Sequence, residues 1–236
     1  MKRERNKFRS AVVLFVGVLF LAVLALPAFA DDLSDSRQLV TKATMTFANF
    51  AKAPEMDALR NLLKSARGVF IAPQILRGAF VVGVAGGTGV FIVHDSKTGY
   101  WTGPAFYTIG EGSLGFQIGA DASELVLLAM TERGVTALLN STAKLGADAG
   151  IAIGPIGMGA AASTANLSAD IISFSRSKGL YAGISFDGAV VAVRDGLNAA
   201  FYGKANLSPT DILLRRTVTS THAIPLIKEV AMAAKK

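Results

Sequence analysis

The 236 residues are 51% apolar, enough for one sizeable core, and the length demands no second domain. There is no cysteine, which excludes disulfides, thiol nucleophiles and Cys-based zinc or iron–sulfur sites. The formal charge of +7 is concentrated at the start: residues 1–30 carry five basic residues and one acid, leaving 19 Lys and Arg against 16 Asp and Glu, or +3, which does not argue for a nucleic-acid partner.

The first thirty residues read as a secretory signal peptide. MKRERNKFRS is a basic n-region, AVVLFVGVLFLAVLAL an apolar run of sixteen, and Ala28-Phe29-Ala30 a small-residue cleavage site before Asp31. The run is shorter than the roughly twenty residues that span a bilayer. The expected location is therefore periplasmic or secreted, and peripheral on a membrane if the chain binds one.

Residues 31–236 are expected to form a single domain, with a helical part at 31–67, a β-rich core at 68–205 and a helical part at 206–236. Val40, Ala43, Phe47 and Phe50 recur at spacings of three and four and predict an amphipathic helix over Asp31–Ala53. Pro54 stops it, and a second helix is predicted over Glu55–Arg67 before Gly68. Short runs rich in Val, Ile and Phe then alternate with Gly, Pro, Asn and Asp. They predict strands near Val69–Ala72, Ala79–Ala85, Gly89–His94, Tyr100–Trp101, Ala105–Ile109, Leu114–Ala120 and Glu124–Met130, with a hairpin turn at His94–Gly99.

Thr131–Asn140 reads as a short helix capped by Thr131. Further strands are expected at Ala147–Ile153, Gly157–Ala162, Ile171–Arg176, Leu180–Phe186 and Ala189–Val193. A helical turn follows at Asp195–Phe201, a helix start with Pro209 at its first position, and a closing helix at Ile224–Ala234. Glycines such as Gly83, Gly86, Gly115, Gly119 and Gly150 lie inside these strand patterns, where they weaken a strand unless a bulge, bend or close approach needs them. The fold class is therefore α+β: N-terminal amphipathic helices on a curved, mainly antiparallel Gly-rich sheet or barrel-like core, with C-terminal helices.

Catalytic motifs fail on context. Gly83-Val-Ala-Gly86-Gly87-Thr-Gly89 has the density of a phosphate loop but is followed by a strand rather than a helix. Ser141-Thr-Ala-Lys144 and Ser175-Arg-Ser-Lys178 match S-x-x-K, yet Lys97-Thr98-Gly99 precedes both, the reverse of the penicillin-recognising order. Glu111 stands where an esterase elbow around Ser113 needs glycine. His94 and His222 have no patterned acid or metal-ligand partners, so neither a triad, a metal site nor a cofactor is expected.

The stretches ARGVFIAPQILRGAFVVGVAGGTGV, WTGPAFYTIGEGSLGFQIGADASELVLLAM, KLGADAGIAIGPIGMGA and FSRSKGLYAGISFDGAVV, in this order from about Leu62 to Tyr202, resemble the SYLF domain family. That resemblance implies a lipid-binding module without enzymatic activity, using an N-terminal amphipathic helix and nearby basic residues on phosphoinositides or other anionic phospholipids; some members also bind actin. The favoured contact residues are Lys42, Lys52, Lys64, Arg67 and Arg77: the three lysines as basic residues of the amphipathic first helices, and only Arg67 and Arg77 by match to the family's motif. Arg67 and Arg77 stand where members of the family carry Lys, and Phe174 replaces a frequent Tyr. The alternatives are an envelope structural or stress-related protein acting on an envelope or host protein partner, and, further off, a serine hydrolase.

Overall fold

The computed structural model describes residues 32–79, 82–114, 119–157, 168–177, 179–182 and 184–235. The expected leader, Lys178 and all but the first residue of the strand expected at Gly157–Ala162 lie outside the described residues. Helix α1 (Asp32–Lys52) buries Val40, Ala43, Phe47 and Phe50 as one stripe, with Asp32 and Asp35 in its first turn and Lys52 in its last, as the helix dipole favours. A 3₁₀ turn at Pro54–Met56 leads into α2 (Asp57–Leu63). This second helix is shorter than the expected Glu55–Arg67 because strand pairing takes over: the Arg67 N–H donates to the Ala129 carbonyl and Gly68 opens the sheet.

Four long strands form the centre: β1 (Gly68–Ala79), β2 (Val82–His94), β3 (Trp101–Leu114) and β4 (Gly119–Ala129). The expected strands fall differently: Val69–Ala72 covers only the start of β1, while Ala79–Ala85 and Leu114–Ala120 each take in the end of one strand and the start of the next, residues 80–81 and 115–118 lying outside the described residues. Glycine interrupts an apolar pattern without interrupting the hydrogen-bond ladder. Pro73, which lacks an N–H, sits where the register of β1 slips by one residue against both β2 and β4. A bulge is where a strand tolerates proline. The turn between β2 and β3 is the predicted one: Asp95 Oδ1 accepts from the Lys97 N–H at 2.9 Å, Asp95 Oδ2 accepts from the Thr98 hydroxyl at 2.8 Å, and Gly99 supplies a φ of 73°.

After β4, Thr131 caps α3 (Glu132–Leu139), its hydroxyl oxygen accepting from the Gly134 N–H at 3.1 Å while its proton is donated to Asp170 at 2.6 Å. That donation, the Gly150 N–H and the Arg133 charge hold the Asp170 carboxyl below its ordinary value. The remaining strands are β5 (Thr142–Lys144), β6 (Ile151–Ile153), β7 (Ile171–Ser177), β8 (Leu180–Ala182) and β9 (Val190–Val193). Strand β5 was not expected, and the strand expected from Ala147 starts only at Ile151, because a turn in which the Gly146 N–H donates to the Ala149 carbonyl precedes it. The strand expected over Leu180–Phe186 ends at Ala182; the Ile184 N–H donates instead to Ser175 Oγ. Helices α4 (Asp195–Tyr202), α5 (Pro209–Leu213, with a Ser208/Asp211 capping box) and α6 (Ile224–Lys235) close the chain.

Among the described residues the sheet has nine strands, in the order β5-β9-β3-β2-β1-β4-β7-β6 with β8 also on β7. It curls into an open half-barrel, antiparallel except for the β6–β7 pair. Alternation splits its side chains into two cores. Val69, Ile71, Val90, Ile92 and Val126 pack with α1, α2, α4 and α6 on one face; Phe70, Phe91, Tyr107, Leu125 and Leu127 pack with α3 and α5 on the other.

Candidate functional site

Beyond the Pro73 bulge, β1 to β4 continue together as a Gly-rich tongue, and its two faces differ in chemistry. Arg77 lies opposite Asp121 on β4 and Ala85 on β2, and Ala85 lies opposite Glu111 on β3, so these residues form one row across one face. An Arg77 guanidinium nitrogen stands 3.7 Å from Glu111 Oε2, and Asp121 accepts from the Ser177 hydroxyl at 2.7 Å. Leu76 and Val84 alternate onto the other face, the one α1 covers nearer the bulge. They are 58% and 62% exposed, and their cross-strand partners are Gly86, Ala122, Gly78 and Gly112. Exposed apolar side chains among uncharged glycine and alanine partners are the feature that calls for an explanation.

The adjoining surface of α1 carries two lysines and an exposed methionine, with Asp35 beside Lys42 in one of its clefts. Lys42, Met45, Asn49 and Lys52 recur at helical spacing and are all exposed, with Met45 at 63%. Lys42 lies between two clefts. One, of about 330 Å³, is shared with Met45, Gln74 and with Ala122, the β4 partner of Leu76; the other, of about 280 Å³, is shared with Thr88 of β2 and with Arg194 at the start of α4. Lys42, Lys52, Lys64 and Arg194 are exposed and make no ion pair among the described residues. No metal-type cluster of His, Asp and Glu occurs among the described residues.

A polar latch holds α1 against the sheet. The Thr46 hydroxyl donates to Glu124 at 3.2 Å, Glu124 is ion-paired with Arg176, and the Tyr181 ring lies 5.8 Å from the Arg176 guanidinium and edge-on to Phe50 at 5.2 Å. The Glu124 hydrogen bond raises the Arg176 pKa further.

The five cations expected from the sequence are thus distributed unequally. Lys42 and Lys52 share the exposed stripe of α1, and Lys64 is exposed in the turn after α2. Arg67 and Arg77 stand at opposite ends of β1, about 30 Å apart at strand spacing. Each has a carboxylate beside it, Glu132 at 3.0 Å and Glu111 at 3.7 Å. Arg194, Met45, Leu76 and Val84 were not singled out by the sequence. Exposure of Leu76 and Val84 depends on the register, which a run of glycines does not reveal.

The hydrolase alternative finds no support at Ser175, which is 1% exposed with its hydroxyl accepting from a backbone N–H. His94 stacks on Trp101, ring centroids 4.9 Å apart, and His222 is exposed in a 3₁₀ turn.

The family model described as "Ysc84: Las17-binding protein actin regulator" matches residues 110–233, from the tongue through α6. The chain belongs to the Ysc84 (SYLF) family. Similar proteins include Protein YSC84 of Saccharomyces cerevisiae, 31% identical over 172 residues, covering 71% of this chain and 36% of that protein. SH3 domain-containing YSC84-like protein 1 of Xenopus laevis is 29% identical over 165 residues, 69% of this chain and 49% of its own. LAS seventeen-binding protein 3 of Saccharomyces cerevisiae is 30% identical over 171 residues, 69% and 37%. The chain therefore spans less than half the length of these Ysc84 relatives.

Proposed function

We propose that the protein is a non-catalytic module that binds an anionic phospholipid surface through the face where the α1 stripe adjoins the apolar side of the tongue, acting outside the cytoplasm once its leader is removed. The observation that carries this reading is the juxtaposition of Lys42 and Met45 with Ala122 in one cleft, beside exposed Leu76 and Val84. A cation near an anionic bilayer contributes about 1 kcal/mol, and a fully buried Leu or Val side chain about 1.5–3 kcal/mol. Lys42, Lys52 and Arg194, none drawn into an ion pair among the described residues, carry the electrostatic part; Lys64 adds to it, while Arg67 and Arg77 are partly neutralised by their carboxylates.

Co-sedimentation with vesicles of phosphatidylglycerol and phosphatidylcholine, against phosphatidylcholine alone, tests the reading. The protein is expected to pellet with the anionic vesicles. Reversing Lys42 and Lys52 to Glu is expected to weaken partitioning at least tenfold, and Arg67→Glu to weaken it far less. Equal pelleting with neutral vesicles, or an indifferent double reversal, would remove the electrostatic mechanism. The names of the Las17-binding relatives make a protein partner the competing reading, and vesicle-independent capture of one defined partner by the same face would favour it.

A further inference from the structure

A cleft of about 300 Å³ opens between the start of β3, α5 and the segment leading into α6. Trp101, Ile212, Ala223 and Ile227 give it apolar walls, and Thr219, Ser220 and Arg216 give it a polar lining. It is held in shape by its neighbours. The Thr102 hydroxyl donates to the Leu213 carbonyl at 2.7 Å, and Gly103, at a φ of 123°, leaves no room for a side chain: a Cβ there would meet Leu213 at 2.8 Å and the Phe91 carbonyl at 3.0 Å.

Arg216 occupies the left-handed region at a φ of 55°, unusual for a residue that is not glycine, and strain of this kind collects at ligand clamps. Its guanidinium is ion-paired with Asp95, which is itself fixed by the Lys97 N–H and the Thr98 hydroxyl. Asp95 engages only part of a five-donor group. The pair is neutral as a whole, so the cleft favours an oxygen acceptor on an apolar body rather than a dense anion.

We infer that this cleft is a binding site for a single acyl chain, its carboxyl or ester oxygens at Arg216 and the rim hydroxyls and its alkyl part against Trp101 and Ile227. At about 30 Å³ for a water-sized group, the volume holds about ten such groups, one chain of roughly ten carbons and not a whole lipid. The inference does not depend on the membrane face described above, because none of these residues belongs to it.

Trp101 is the only tryptophan in the chain, so its emission reports this cleft alone. The experiment titrates the protein with 10-bromodecanoate and, separately, with monomeric phosphatidylcholine carrying short bromoacyl chains, the bromine quenching indole on contact. Saturable quenching that unlabelled decanoate displaces is expected for at least one ligand, and which one responds identifies the free acid or the phospholipid as the source. Arg216→Gly, which suits the φ of 55° and is expected to fold, should weaken binding at least tenfold; Thr219→Phe, filling the cleft from an exposed position, should abolish it. Non-saturating quenching equal to that of bromoacetate would overturn the inference. So would saturable quenching that both variants leave unchanged.

Discussion

Gly87→Ala is expected to destabilise the protein by about 3 kcal/mol, lowering its melting temperature by roughly 6–12 °C for a chain of this size. A Cβ at Gly87 would stand 2.1 Å from the Gln74 carbonyl and 2.9 Å from Ile75 Cδ1, at the bulge where β1 changes register against β2. Backbone cannot yield there without parting the two strands on which the tongue depends. Neighbouring glycines make the control: a Cβ at Gly86 meets only the Ile109 carbonyl at 3.5 Å, and one at Gly78 meets nothing within 4 Å. Gly78→Ala should stay within about 0.5 kcal/mol of the parent. Thermal and urea unfolding of the three variants checks this, and a Gly87→Ala protein as stable as Gly78→Ala would contradict the register described for the bulge.

Phe50→Ala is the second large effect, expected at about 3–5 kcal/mol. Phe50 is fully buried in the stripe that docks α1, and its ring meets Tyr181 edge-on, an arrangement contributing about 0.5–1.5 kcal/mol beyond burial. Since Tyr181 also stands over Arg176, the substitution should loosen the Glu124–Arg176–Thr46 latch. Urea unfolding gives the size of the loss, and hydrogen exchange in Asp32–Lys52 gives its place. A cost below about 1 kcal/mol with unchanged protection of α1 would mean that the helix is held by something other than this stripe.

Helix α1 was legible in the sequence because its apolar residues keep a helical period and Pro54 ends it. The mainly antiparallel curved sheet was legible because short β-rich runs lie too close together for helical crossovers. Strand lengths were not, since Gly83, Gly86 and Gly87 carry no side chain to mark a face yet continue the ladder of β2. Strand β5 also escaped, three residues with no pattern of their own, which are held by pairing with β9.

At the candidate site, cation identity was readable and cation environment was not. Lys42 and Lys52 fall on the exposed stripe predicted by the period of α1. The carboxylates beside Arg67 and Arg77 come from α3 and β3, 65 residues away in the first case, and no local signal points to them. Arg194 meets Lys42 across a cleft only because β9 delivers α4 to the edge of α1.

The proposed membrane face is tested most directly by a single probe at Val84. The chain has no cysteine, so Val84→Cys carrying an environment-sensitive fluorophore is uniquely labelled. Vesicles containing phosphatidylglycerol should shift the probe's emission to the blue and shield it from an aqueous quencher, whereas phosphatidylcholine vesicles should do neither. Protein that pellets with the anionic vesicles while the probe stays in water would contradict the placement of that face, and protein that fails to pellet would contradict lipid binding itself.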